Sequence, residues 1–123
     1  MHPAQATPRS EALLQAVHDG AIIKVPALWP VEIANALLVL VRRGKLTEQE
    51  RQDALSALGG LFAEVDHEMA SLAFTKLSEL ATLHHLSLYD ATYLELALRA
   101  KLPLACKDGP LCGAAKRCGV RLV

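Results

Sequence analysis

The amino-acid sequence predicts an α/β domain in which a mainly parallel sheet carries helices on both faces. Three observations predict it. Short apolar, β-branched runs (AIIKVP, LFAEV, PLAC, VRLV) alternate with longer segments of helical period, the pattern of strands joined by helical crossovers. Each helical segment has its own start and stop residues. The chain has 123 residues, 52% of them hydrophobic, which suits one domain with one core spanning residues 1–123, its first nine residues irregular.

Ser10 caps a short helix over 10–18 that stops at Gly20. AIIKVP then reads as a buried strand over 21–25, closed by Pro26, which has no N–H for a ladder. A helix over 29–43 follows, with Pro30 in its first turn, apolar residues almost all round, and Arg42, Arg43 and Gly44 at its end. Thr47 with Glu50 forms a capping box that opens a helix ending at Gly59 and Gly60. LFAEV is the next strand. Asp66 is expected to cap a helix running to His84, with Met69, Leu72, Ala73, Leu77 and Leu80 on its buried face. Ser87 starts a helix through LYDATYLELALRA, PLAC is a short strand, Asp108 caps the helix GPLCGAAKRC, and VRLV is the last strand.

The formal net charge is zero, so no broad field attracts nucleic acid or an anionic membrane, and a polyanion has to be gripped locally. Arg42, Arg43 and Lys45, and Lys116 with Arg117, are basic helix ends able to touch phosphates. No apolar run reaches membrane-spanning length and the start lacks the plan of a signal peptide, so a cytoplasmic location is expected. Cys106, Cys112 and Cys118 fit neither a paired framework nor a short zinc spacing, and read as reduced thiols. His84 and His85 read as a solvated helix end. No glycine-rich phosphate loop is present.

Most of the thirteen acidic residues read as solvated helix faces, caps or pairs such as Glu95 with Arg99 one turn on. Glu32, Asp90 and Asp108 stand apart. Glu32 lies near a helix start among apolar neighbours, where an uncompensated carboxylate costs several kcal/mol. Helix-start amides and Asn35 on the same face are one compensation; a metal ion is the other. Asp90 stands three places after the cap Ser87, and Asp108 directly follows a strand, so each also has a capping explanation. In a parallel α/β layer, however, helix starts that follow strands gather on one sheet edge. Carboxylates brought together there repel unless a cation lies between them. All-oxygen ligation selects Mg²⁺ or Mn²⁺, and phosphodiester hydrolysis is the chemistry such a centre performs.

The succession VPALWPVEIANALL, VRRGKLT, LSLYDATYLELALRAKLPLACKDGPL and GVRLV resembles the PIN-domain family, most of all the VapC-type toxins of bacterial toxin–antitoxin pairs. The likeness runs from about Glu11 to the end. It implies a three-layer α/β/α sandwich and a metal-dependent endoribonuclease acting on RNA, dimeric and restrained by a VapB-like antitoxin. Glu32 matches the glutamate of the P-x-E-x-x-N-A segment, Asp90 the aspartate of Y-D-A, and Asp108 the aspartate after the fourth strand, with Asn35 supporting Glu32. One departure stands out: the family's first strand, ending in Asp-x-Ser or Asp-x-Thr, has no counterpart in Met1 to Ser10. The PIN-like sheet is therefore expected to lack its first central strand. A smaller departure is Cys106, where a Thr or Ser is usual. Either the start has been lost, or the chain is a variant that has given up catalysis and serves as a binding and dimerisation module.

Overall fold

The computed structural model describes residues 23–60, 63–106 and 109–123. The expected helix over 10–18, the irregular first nine residues and Asp108 lie outside them.

Strand β1 (Ile23–Pro26) pairs in parallel with β2 (Ala63–Asp66), in a register running from Ile23 opposite Ala63 to Pro26 opposite Asp66. Ile23 and Val25 are buried, as alternation along a strand requires, and Pro26 ends the strand as its missing N–H dictates. One more rung follows, where the Ala27 N–H donates to the Asp66 carbonyl at 3.0 Å. Parallel strands need a long crossover, and two helices supply it. Helix α1 (Leu28–Arg42) buries Trp29 and Ile33, while Leu37 to Val41 are half-buried. Its end turns through Gly44 at φ +71, a left-handed conformation cheap only for glycine. Helix α2 (Glu48–Gly59) packs against α1. Its capping box is as expected: the Glu50 N–H donates to Thr47 Oγ1 at 3.0 Å, and the Thr47 N–H donates to Glu50 Oε1 at 2.9 Å.

The helix expected from Asp66 to His84 differs in its start and its winding. Asp66 is the last residue of β2, and the helical path begins at α3 (Met69–Leu72). A π-helical turn, Ala73–Leu77, then leads into α4 (Ser78–His84). Leu77 at the end of the wide turn and Leu80 after it are buried, while Phe74 within it is 97% exposed. The Ser78 hydroxyl donates to the Ala73 carbonyl at 2.7 Å across that turn. His85 closes α4 in the left-handed region, at φ 54.

Helix α5 (Leu88–Ala100) is the centre of the molecule, because every residue from Ala91 to Ala97 is buried. Ser87 caps it as expected, accepting from the Asp90 N–H at 3.0 Å. It contacts β1, α4 and α6 (Pro110–Arg117). Gly109 occupies the N-cap of α6 at φ +92, and that backbone geometry calls for glycine; the expected cap at Asp108 is corrected to this position.

The strands expected in PLAC and VRLV reduce to a single parallel bridge between Leu104 and Leu122. The Leu104 N–H donates to the Arg121 carbonyl at 2.8 Å, and the Val123 N–H donates to the Leu104 carbonyl at 3.1 Å. Among the described residues no backbone hydrogen bond joins this bridge to the β1–β2 ladder. Both nevertheless rest on one core containing Ile23, Val25, Trp29, Leu94, Leu104 and Leu111. The architecture is mixed α/β, mostly helical, with a two-stranded parallel sheet. No helix among the described residues is long and apolar enough to cross a membrane.

Candidate functional site

Glu32 is not in the first turn of its helix. Because α1 already starts at Leu28, Glu32 is its fifth residue, which takes it beyond the free amides that were one expected source of compensation. Its described partner comes from another element: the Tyr93 hydroxyl of α5 donates to Glu32 Oε1. Tyr93 is 4% exposed, and a phenol that deep needs an acceptor for its proton. Glu32 is half-buried, so the bond forms at the margin of the core.

Asp90 stands one helical turn before Tyr93, three residues earlier on the same helix, and such residues are neighbours on a helix surface with Cβ atoms roughly 5–6 Å apart. Asp90 is half-buried in the first turn of α5, where the helix dipole favours negative charge. The Tyr93–Glu32 bond thus ties α1 to α5 one turn after Asp90. Asn35, one turn after Glu32, is exposed. Asp108 lies outside the described residues, between the buried Cys106 and the Gly109 cap of α6. Among the described residues no group of three or more His, Cys, Asp or Glu side chains comes together as a metal cluster. Tyr93 is the residue the sequence reading missed. Its signal was present: a tyrosine one turn after Asp90, on a face otherwise destined for the core, has a hydroxyl that must find a partner.

A second acidic group lies farther along α5. Arg99 donates from Nε to Glu95 Oε2 at 2.8 Å, from Nη1 to Asp66 Oδ1 at 2.9 Å and from Nη2 to Asp66 Oδ2 at 2.7 Å. The Glu95–Arg99 pair was expected from spacing; Asp66 was not, and although its carboxylate accepts the Glu68 N–H at 3.3 Å just before the helix, Glu68 is the N-cap and Asp66 is chiefly a strand-end anchor. The Arg99 hydrogen bonds hold the Asp66 carboxyl below its ordinary range. Those to Asp66 and then to Glu95 raise Arg99 above its own. The fork ties the end of β2 to the buried helix, and a planar guanidinium suits two carboxylates at once.

The cysteines also depart from expectation. Cys106 and Cys112 form a disulfide, with Cα atoms 5.8 Å apart, and Cys118 is the free thiol. Cys106 and Cys112 in the first turn of α6 approach closely enough for two thiols six residues apart to bond. His84 is half-buried, and its Nε2 lies 3.4 Å from Cys118 Sγ, so it is not a purely solvated helix end; His85 is exposed.

Searches against protein-family models and curated proteins find no match.

Proposed function

We propose that this chain is a PIN-like, VapC-type endoribonuclease that hydrolyses RNA phosphodiester bonds with Mg²⁺ or Mn²⁺ held by Glu32, Asp90 and Asp108. The observation that carries the reading is the Tyr93–Glu32 hydrogen bond, which ties α1 to α5 at a residue one turn after Asp90. The donor chemistry fits the cation: carboxylate oxygens are the ligands hard divalent ions take. When bound, the cation supplies water activation and neutralises charge on the phosphate. Glu32 and Asp90 would hold it from two elements, and Asp108 would complete the set. Tyr93 aims the Glu32 carboxylate, and the basic ends Arg42, Arg43 and Lys45 are available to RNA phosphates. The three-layer sandwich, the dimer and restraint by a VapB-like antitoxin belong to the same reading.

A second reading is favoured by the separation of the β1–β2 ladder from the Leu104–Leu122 bridge. It makes the chain a PIN-like binding and dimerisation module without turnover. One assay separates the two. The purified chain is incubated with RNA and Mn²⁺, with and without EDTA, beside Glu32→Gln. The nuclease reading expects cleavage that the chelator abolishes and the variant lacks; metal-independent or absent cleavage leaves the binding module.

A further inference from the structure

The far end of α5 carries a second constellation of reactive side chains, unrelated to the acidic residues. A groove of about 350 Å³ runs between the end of α5 and the turn after α6, with Ala97, Leu98 and Val120 in its lining. Lys101, Arg121 and Cys118 line it. Both cations are exposed, and neither is in an ion pair among the described residues. Cys118 is half-buried and is the thiol left over by the Cys106–Cys112 pair, and the His84 imidazole reaches it from α4. Lys101 is held at the groove by its left-handed backbone, at φ 57, which closes the helix and turns the chain there.

Each feature has a chemical meaning, and they converge. A thiol attacks as its thiolate, so a base in contact with it makes the nucleophile available. A cavity of this size takes a small molecule, the apolar side chains of its lining take its stem, and two exposed cations select carboxylates. We propose that this groove is a thiolation site, at which Cys118 exchanges with a low-molecular-weight disulfide bearing carboxylates. His84 Nε2 accepts the Cys118 proton, and the thiolate sulfur attacks one sulfur of the small disulfide R–S–S–R. The protein–S–S–R bond forms as the R–S–S–R bond breaks. The departing R–S⁻ takes the proton back from His84 and leaves as R–SH. Cys118 is oxidised and the departing half reduced, with no further oxidant. Lys101 and Arg121 bind the carboxylates of R before and after the exchange. Lys101 and Asp90 are separated by roughly 16 Å of helix, so the modification is chemically separate from the acidic site.

The test uses the full chain, oxidised glutathione as the anionic probe and cystamine as the cationic one, with adducts located by peptide mass mapping. One glutathionyl group is expected on Cys118, forming faster than on the urea-unfolded chain, and none in Cys118→Ser. Replacing both cations, Lys101→Gln with Arg121→Gln, is expected to slow glutathione about tenfold while leaving cystamine unchanged or faster, and Lys101→Arg with Arg121→Lys to restore the rate. His84→Gln is expected to slow both probes alike, about tenfold. Circular dichroism establishes that each variant is folded. The proposal is overturned if the folded chain reacts no faster with oxidised glutathione than the unfolded one, if the adduct maps to Cys106 or Cys112, or if the glutathione-to-cystamine ratio ignores the two cations.

Discussion

The two halves of α5 handle carboxylates in opposite ways. Toward its C-terminus, Glu95 and Asp66 are both bonded to the Arg99 guanidinium, a charged donor that neutralises as it orients. Toward its N-terminus, Glu32 receives the Tyr93 hydroxyl, a neutral donor that orients without adding positive charge. The first arrangement is that of a structural clamp: its side chains are 10% exposed at Asp66 and 8% at Glu95, and its geometry is bidentate. In the second, the described donor is a neutral phenol and the carboxylate is half-buried. The two groups that meet α5 differ in the described donor and in burial together.

Removing each anchor in turn sharpens that contrast. The largest effect is expected from Glu32→Gln, which keeps shape and loses charge: RNA cleavage with Mn²⁺ should fall roughly 100- to 1,000-fold, with the urea midpoint nearly unchanged. A large loss of stability from this variant would place Glu32 with the structural clamp and break the comparison. Next is Arg99→Met, which strands two well-buried carboxylates. Because Arg99 itself is 35% exposed, a loss of about 2 kcal/mol in urea unfolding is expected, less than for a fully buried pair, with nuclease activity retained in the folded protein.

The same clamp has a pH signature. The folded-state pKa of Asp66 is depressed by Arg99, so its contribution to stability is complete above the ordinary aspartate value of about 3.9 and is lost as pH falls through the lower folded value. Denaturant midpoints measured from pH 6 downward should show this loss in the wild type and less of it in Arg99→Met. Tyr93→Phe comes third: Mn²⁺ binding followed by titration calorimetry should weaken about tenfold, as for loss of a group that orients a ligand. Unchanged Mn²⁺ affinity would deny Tyr93 any aiming role. The smallest effect is outside α5 and serves as a control: His85→Gly, at a left-handed and exposed helix end, should raise stability by about 1 kcal/mol without altering cleavage or metal affinity.

How legible each element was follows from the range of the interaction that made it. The Thr47–Glu50 capping box and the Ser87 cap are contacts across three residues, and the sequence predicts both. The Glu95–Arg99 pair spans one turn and is equally plain. Asp66 misled because an aspartate before a helical pattern has the composition of a cap, while its real partner Arg99 lies 33 residues away. The π-helical turn at Ala73–Leu77 leaves no mark in an apolar pattern that an ordinary helix would also satisfy. PLAC and VRLV have strand composition, but strand length is decided by the partner edge, and they share one bridge.

By itself the sequence determined the alternation of helices with short apolar runs, the caps at Thr47 and Ser87 and the stop at Gly44, and it singled out Glu32 and Asp90 as acids among apolar neighbours. These depend on backbone propensity, capping and apolar period, which act within a few residues. Only the tertiary structure decided that Tyr93 holds Glu32, that Arg99 claims Asp66, that Cys106 finds Cys112 and that His84 meets Cys118. A donor and an acceptor distant in the chain carry no record of each other in composition or spacing. Their meeting is set by how helices pack around a buried α5, which is a property of the whole core.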